Sequence, residues 1–134
     1  MFDSLDIGAS ALQAQRARMD AIAGNVANVN TTRNERGEPI PYRRRIVTFA
    51  PGAADGSGRP GVHVQSIDQD PSPFNQRYDP GHKDADARGY VKYPNIDLAI
   101  EYVNMLEASR AYEANVTMME TSKAMINSSL RLIA

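Results

Sequence analysis

The sequence predicts a mainly α fold with a small β-rich middle, in which long N- and C-terminal helices pack as an antiparallel, coiled-coil-like hairpin. Two observations carry this. All eight prolines fall between Pro39 and Pro94, and seven of the nine glycines fall between Gly37 and Gly89. Proline removes a backbone donor and breaks helices, so only the flanks are free to form long ones. Both flanks also carry apolar side chains at a seven-residue spacing, the pattern of helices that pair along a seam. The 134 residues divide into an N-terminal helix (1–32), a β-rich or looped lobe (33–94) and a C-terminal helix (95–134) that packs with the first.

The first flank reads as helix from about Ser4 to about Val29, with Asp3 or Ser4 capping it and Asp6 favourably placed against the helix dipole. Leu5, Leu12, Met19 and Val26 are seven apart. Ile22 and Val29 lie three residues on from this row, and Ala9 four on from Leu5. Gly8 and Gly24 each cost about 1 kcal/mol relative to alanine inside a helix, so this one is marginal alone.

In the middle, Tyr42–Phe49 and Gly61–Ile67 are short, rich in β-branched residues and partly alternating, which predicts strands. The segment 51–61 between them is a Gly- and Ala-rich loop. Arg88–Tyr93 is a third extended piece, and Asp79-Pro80-Gly81 is a turn.

The second flank runs from Ile96 to Ile133, with Asn95 as N-cap and Asp97 in the first turn. Leu98, Met105, Tyr112, Met119, Ile126 and Ile133 are seven apart. Tyr102, Ser109, Val116 and Leu130 occupy the positions four on, with Lys123 the charged exception. Such a helix spans roughly 55 Å at 1.5 Å per residue. Met118, Met125 and Leu132 form a second row, joined by Ile100, Val103 and Ala114. Small residues (Ala108, Ala111, Ser122, Ser128, Ser129) let other helices approach closely. One partner helix covers one seam, so the remaining apolar surface predicts contact with further molecules.

Little in the chain suggests chemistry. Net charge is −1, with 15 basic and 16 acidic side chains, so no global field favours nucleic acid or an anionic membrane. The absence of cysteine removes disulfides and thiolate ligands. His63 and His82 have no metal-binding spacing around them, and His63 reads as an outward strand residue. The acidic stretch Asp79–Asp86 lacks the terminal glutamate of a calcium loop and reads as a solvated turn. Arg43-Arg44-Arg45 lacks the aromatic platforms of a nucleic-acid groove, and one of the three is expected to face inward or across a protein contact. Gly52, Gly56, Gly58 and Gly61 lack the spacing of a phosphate loop. No catalytic, cofactor-binding or metal residue is predicted. The N-terminus lacks a basic region followed by an apolar core, so no cleaved signal peptide is expected.

Residues Ala11 to Thr31 resemble the N-terminal signature of the flagellar rod and hook axial protein family, whose hallmark is Asn25-Val-Ala-Asn28-Val-Asn30-Thr. Tyr78-Asp-Pro-Gly81, Ala85-Asp86, the stretch Gly89 to Asp97 and the stretch Ala108 to Asn115 are similar to the C-terminal half of basal-body rod members of that family. The resemblance implies a structural subunit of the proximal rod, no enzyme, held in the periplasm-spanning basal body. It implies passage through the type III export apparatus without a cleaved signal. The terminal helices are then the inner axial layer and the middle segment the outer lobe. The implied partners are copies of itself, other rod proteins, the export apparatus and the MS ring at the rod base, with no nucleic acid or small-molecule substrate. The seven-spaced rows on both flanks become the assembly interface. A competing reading from the same helical flanks is a cytoplasmic coiled-coil adaptor or export chaperone, which location distinguishes.

Overall fold

A computed structural model describes residues 2–133. The element order is α1 (Phe2–Ala27), β1 (Arg45–Pro51), β2 (Val62–Gln69), β3 (Asn75–Tyr78), β4 (Tyr90–Tyr93) and α2 (Leu98–Ile133). Two long terminal helices thus enclose a middle of two small antiparallel sheets, β1–β2 and β3–β4.

Helix α1 begins earlier than the sequence suggests. Asp3 and Ser4 already lie inside it, so neither is its cap, and Asp3 sits in the first turn. It ends two residues before Val29. The Asn28 side-chain amide and backbone N–H both donate to Gly24 O (2.9 and 3.1 Å), closing the last turn. Thr31 Oγ1 then donates to Asn28 Oδ1 and fixes the exit.

The cap of α2 also differs from expectation. Asp97, not Asn95, is the N-cap: its Oδ1 accepts from Ala99 N–H at 2.9 Å, and its carbonyl accepts from Glu101 N–H. An aspartate satisfies an orphan helix donor and complements the dipole at once. Asn95 is engaged elsewhere.

Strands β1 and β2 pair from Arg45↔Gln69 to Pro51↔Val62, with an irregularity at Thr48/Phe49 that shifts the register by one. Strand β3 lies outside the expected elements: Asn-Gln-Arg-Tyr has no alternating apolar pattern, and all four residues are exposed. It pairs with β4 from Asn75↔Tyr93 to Tyr78↔Tyr90. The Tyr78 and Tyr90 rings meet edge to face at 5.4 Å. The turn at Asp79-Pro80-Gly81 forms, His82 N–H donating to Asp79 O.

Helix α1 is the middle layer. It packs on α2 and on both strands of the β1–β2 hairpin, whereas α2 packs on α1 alone among these elements. The two helices run in opposite senses: Gly8 lies against Met118 and Met119, Arg18 pairs with Glu107, and Asn25 bonds Glu101. At 26 and 36 residues they are about 39 and 54 Å long. In this register the last two turns of α2 project past Phe2.

The apolar core among the described residues is small: Ala14, Ile22, Val91, Ile96 and Ala108. Accessible surface totals 9174 Å² for a 14.7 kDa chain. A globular monomer of that mass exposes about 6,900 Å². Roughly a third more surface than a globule needs is therefore left open, much of it on α2.

Candidate assembly face and the junction beneath it

The predicted seam residues do not share one fate. Leu5, Leu12, Met19 and Val26 on α1, and Met105, Tyr112, Met119 and Ile126 on α2, are half-buried. Leu98 is exposed, and Ile133 is 84% exposed at the projecting tip. The residues α2 buries fully are Glu101, Ala108 and Ser122. These lie on a seven-spaced row three positions on from Leu98, Met105 and Met119, not four. Tyr102 and Leu130, in the row four on, are exposed. Small and polar side chains line the closest approach because the backbones come very near. A Cβ added to Gly8 would lie 2.6 Å from Met119 Cγ.

What the hairpin leaves uncovered is apolar. Ile100, Tyr102, Val103 and Leu106 are all more than half exposed near the start of α2. Met125, Leu130, Leu132 and Ile133 repeat this at its far end. Contiguous exposed apolar surface of this kind marks an interaction face.

At the root of the helix pair, a buried polar junction ties four chain segments together. Asn25 is 1% exposed. Its side-chain amide donates to Arg45 O (2.9 Å) and to Glu101 Oε2 (3.0 Å), while its Oδ1 accepts from Arg45 N–H (2.8 Å) and Tyr42 OH (3.4 Å). It thereby completes the backbone bonding of the first residue of β1, as a neighbouring strand would. Glu101 is fully buried, and its Oε1 accepts from Arg44 Nε at 2.6 Å. Arg44 also reaches Asp70 at 3.4 Å. Burial opposes the Arg44 charge, yet its bonds to Glu101 and Asp70 more than offset this and raise its pKa.

Asn95 accepts from Arg44 N–H and donates to Asp70 O and to Ser72. Hydrogen bonds from the Ser72 hydroxyl and N–H hold the Asp70 carboxyl below the usual carboxylate range, despite some desolvation, with Arg44 adding to the effect. Arg44 is thus the inward arginine of the triplet. Arg43 lies over Phe74 and donates to Asp70 O and Ser72 O, and Arg45 lies over Tyr42.

Of the three signature asparagines, Asn25 is the junction's hub, Asn28 closes α1, and Asn30 is exposed in the turn. Sequence reasoning missed Glu101. A lone acid on a helix otherwise reads as solvated, and only the three-residue offset from the apolar row would have flagged it.

A second tie joins the exit of α1 to the β3–β4 connection. Arg33 and Thr32 both donate to Asp84, whose side chain is 4% exposed. Their bonds, Arg33's first, lower its pKa against the desolvation it suffers. His82 Nδ1 accepts from Asp84 N–H. His63 is half-buried, its Nδ1 2.9 Å from Gly52 O, rather than facing solvent. Among the described residues, no three His, Cys, Asp or Glu side chains converge as a metal site, and no helix is long and apolar enough to cross a membrane.

Against known proteins, residues 5–33 match the family described as flagella basal body rod protein. Residues 87–132 match the C-terminal family of flagellar basal body rod FlgEFG proteins. The flagellar basal-body rod protein FlgC of Borreliella burgdorferi is 41% identical, over 99% of this chain and 97% of that one. FlgC of Bacillus subtilis is 41% identical and that of Escherichia coli O157:H7 40%, each over 98% of this chain and 97% of theirs. The chain belongs to the FlgC family. It is a structural subunit of the flagellar basal-body rod. The rod-family matches fall on the two helices and their root: 5–33 spans most of α1 with Asn25, Asn28 and Asn30, and 87–132 spans β4, Asn95 and nearly all of α2. The FlgC relatives align through the intervening lobe as well.

Proposed function

We propose that the chain enters the proximal rod, the base of the axial drive shaft, through its terminal helices and acts there by packing, catalysing no reaction. Residues 1–32 and 95–134 form the coiled-coil-like inner layer, and 33–94 the outer lobe. The chain arrives through the type III export apparatus without a cleaved signal peptide. Its partners are copies of itself, neighbouring rod proteins and, at the base, the MS ring. The half-buried members of the predicted rows (Leu5, Leu12, Met19, Val26, Met105, Tyr112, Met119, Ile126) each hold part of their surface for a neighbour, as does Leu98, and Ile133 holds most of its own.

One observation carries this reading: a surface excess of roughly a third over a globular chain of this mass, with large apolar side chains of α2 at its centre. Burying such a side chain contributes about 1.5–3 kcal/mol, so neighbours gain what the isolated fold forgoes. Val103→Asp and Leu132→Asp are expected to leave folding and export intact and to remove the chain from purified basal bodies. Their incorporation at wild-type level would sink the reading, and a chain confined to the cytosol would return it to an adaptor or chaperone.

A further inference from the structure

Strand β1 has two edges. One pairs with β2. The other faces a cleft of about 300 Å³, floored by Arg18, Ala21 and Ile22 of α1 and bounded across from β1 by Glu101 and Asn104 of α2. In an antiparallel pair, the backbone groups of successive residues point alternately into the ladder and away from it. Asn25 bonds both the N–H and the C=O of Arg45 from outside the ladder. At the far end, Gly52 N–H donates to Gly61 O within the hairpin at 2.8 Å. Even-numbered residues of β1 therefore face β2, and odd-numbered ones face away. The extra residue at the irregularity, Gln65, lies on β2, so β1 keeps this alternation throughout.

Val47 and Phe49 thus turn their N–H and C=O groups outward along the cleft. Among the described residues, no hydrogen bond beyond the β1–β2 ladder engages them. An unpaired strand edge is a template for another strand, and proteins usually blunt it. Here the blunting is confined to the two ends. Asn25 occupies the edge at Arg45, and Pro51 has no N–H to offer. Between them the edge is open, beside buried Ile22 and half-buried Val47 and Phe49. Charge marks its root. Arg18 is paired with Glu107, and Arg44 with Glu101 and Asp70, whereas no ion pair among the described residues includes Arg45.

Building on the rod assignment, we propose that a neighbouring subunit of different sequence adds a short extended segment to this edge, making β1 the middle strand of three. Main-chain bonds to Val47 and Phe49 supply the affinity, and the side chains along the cleft supply the selectivity. The segment is free of proline, because its own N–H groups must reach the Val47 and Phe49 carbonyls. It carries apolar side chains toward Ile22 and an acid opposite Arg45. This chain has no such segment to lend to a copy of itself. Its extended runs outside the four strands are broken by Pro39 and Pro41 and by Pro71 and Pro73.

The test uses the full chain in flagellated cells, with purified basal bodies as the readout. Val47→Pro removes an outward donor and leaves the ladder to β2 intact, since proline is tolerated where an edge N–H faces away. It should lower the recovered chain about tenfold, whereas Val47→Thr, which keeps the N–H, should stay within about twofold of wild type. Equal recovery of the two variants overturns the proposal. A second readout does not depend on how the proline variant folds. A photoreactive benzophenone side chain placed at Thr48, exposed on β1, lies within about 5 Å of the residue opposite on an added strand. The expected product in basal bodies is a link to a proline-free, acid-bearing stretch of another protein. A link to a second copy of this chain, a link to a proline-interrupted stretch, or no link overturns the strand addition and leaves the rod assignment intact. Basal bodies lacking the unmutated chain overturn both.

Discussion

The Asn25 side chain uses both donor hydrogens and its acceptor oxygen in a site closed to water, so its removal orphans groups on β1 and on Glu101. Asn25→Ala is expected to lower stability by about 2 kcal/mol, and Glu101→Ala by about 3, since it also takes from Arg44 the nearer of its two carboxylate partners. Urea titration measures both; a loss below about half a kcal/mol in either would show the junction to be dispensable. Acid acts on the same ties. Asp70, Asp84 and Asp86 have lowered pKa values, Asp86 mainly through the N–H groups of Tyr90 and Arg88. A carboxyl that is more acidic folded than unfolded contributes stability above its unfolded pKa, about 3.9. That contribution is lost as pH falls through the folded value. The melting temperature should therefore hold from neutrality to about pH 4 and fall below it. Arg44, raised, titrates far above this window and stays charged throughout.

Within α1, two glycines carry opposite predictions. A side chain at Gly8 would collide with the middle of Met119, so Gly8→Val should part the helices and lower stability by about 1–3 kcal/mol. A Cβ at Gly24 meets nothing nearer than the Tyr42 hydroxyl at 3.6 Å, so Gly24→Ala should gain up to about 1 kcal/mol from helix propensity. Chemical denaturation of the two variants side by side checks the signs. The same elements show how far the sequence could be read. Proline exclusion and the seven-residue period were enough for both helices, because these are properties of long stretches. Ala108 and Ser122, expected as small residues that let helices approach, are buried, while Glu101 on the same row was missed because an acid carries no hydrophobic signal. Asn95 and Asp97 are both good caps by type, and the choice fell to Asn95's bonds with Arg44, Asp70 and Ser72. Strand β3 owes its existence to its partner β4, which no local pattern within Asn-Gln-Arg-Tyr records.

Taken whole, the molecule closes on itself late. The side-chain bonds that join α1 to α2 link residues 76 to 90 positions apart: Asn25 with Glu101, Arg18 with Glu107 and Met19 with Ser109. The hairpin leans on α1, the first element made and the one in the middle. Chains whose contacts span most of their length fold slowly, since the entropy of bringing distant segments together is lost before any contact repays it. A chain made from its N-terminus therefore completes α1 and the hairpin that rests on it well before α2 exists, and the α1–α2 pair closes only once the C-terminal flank is in place.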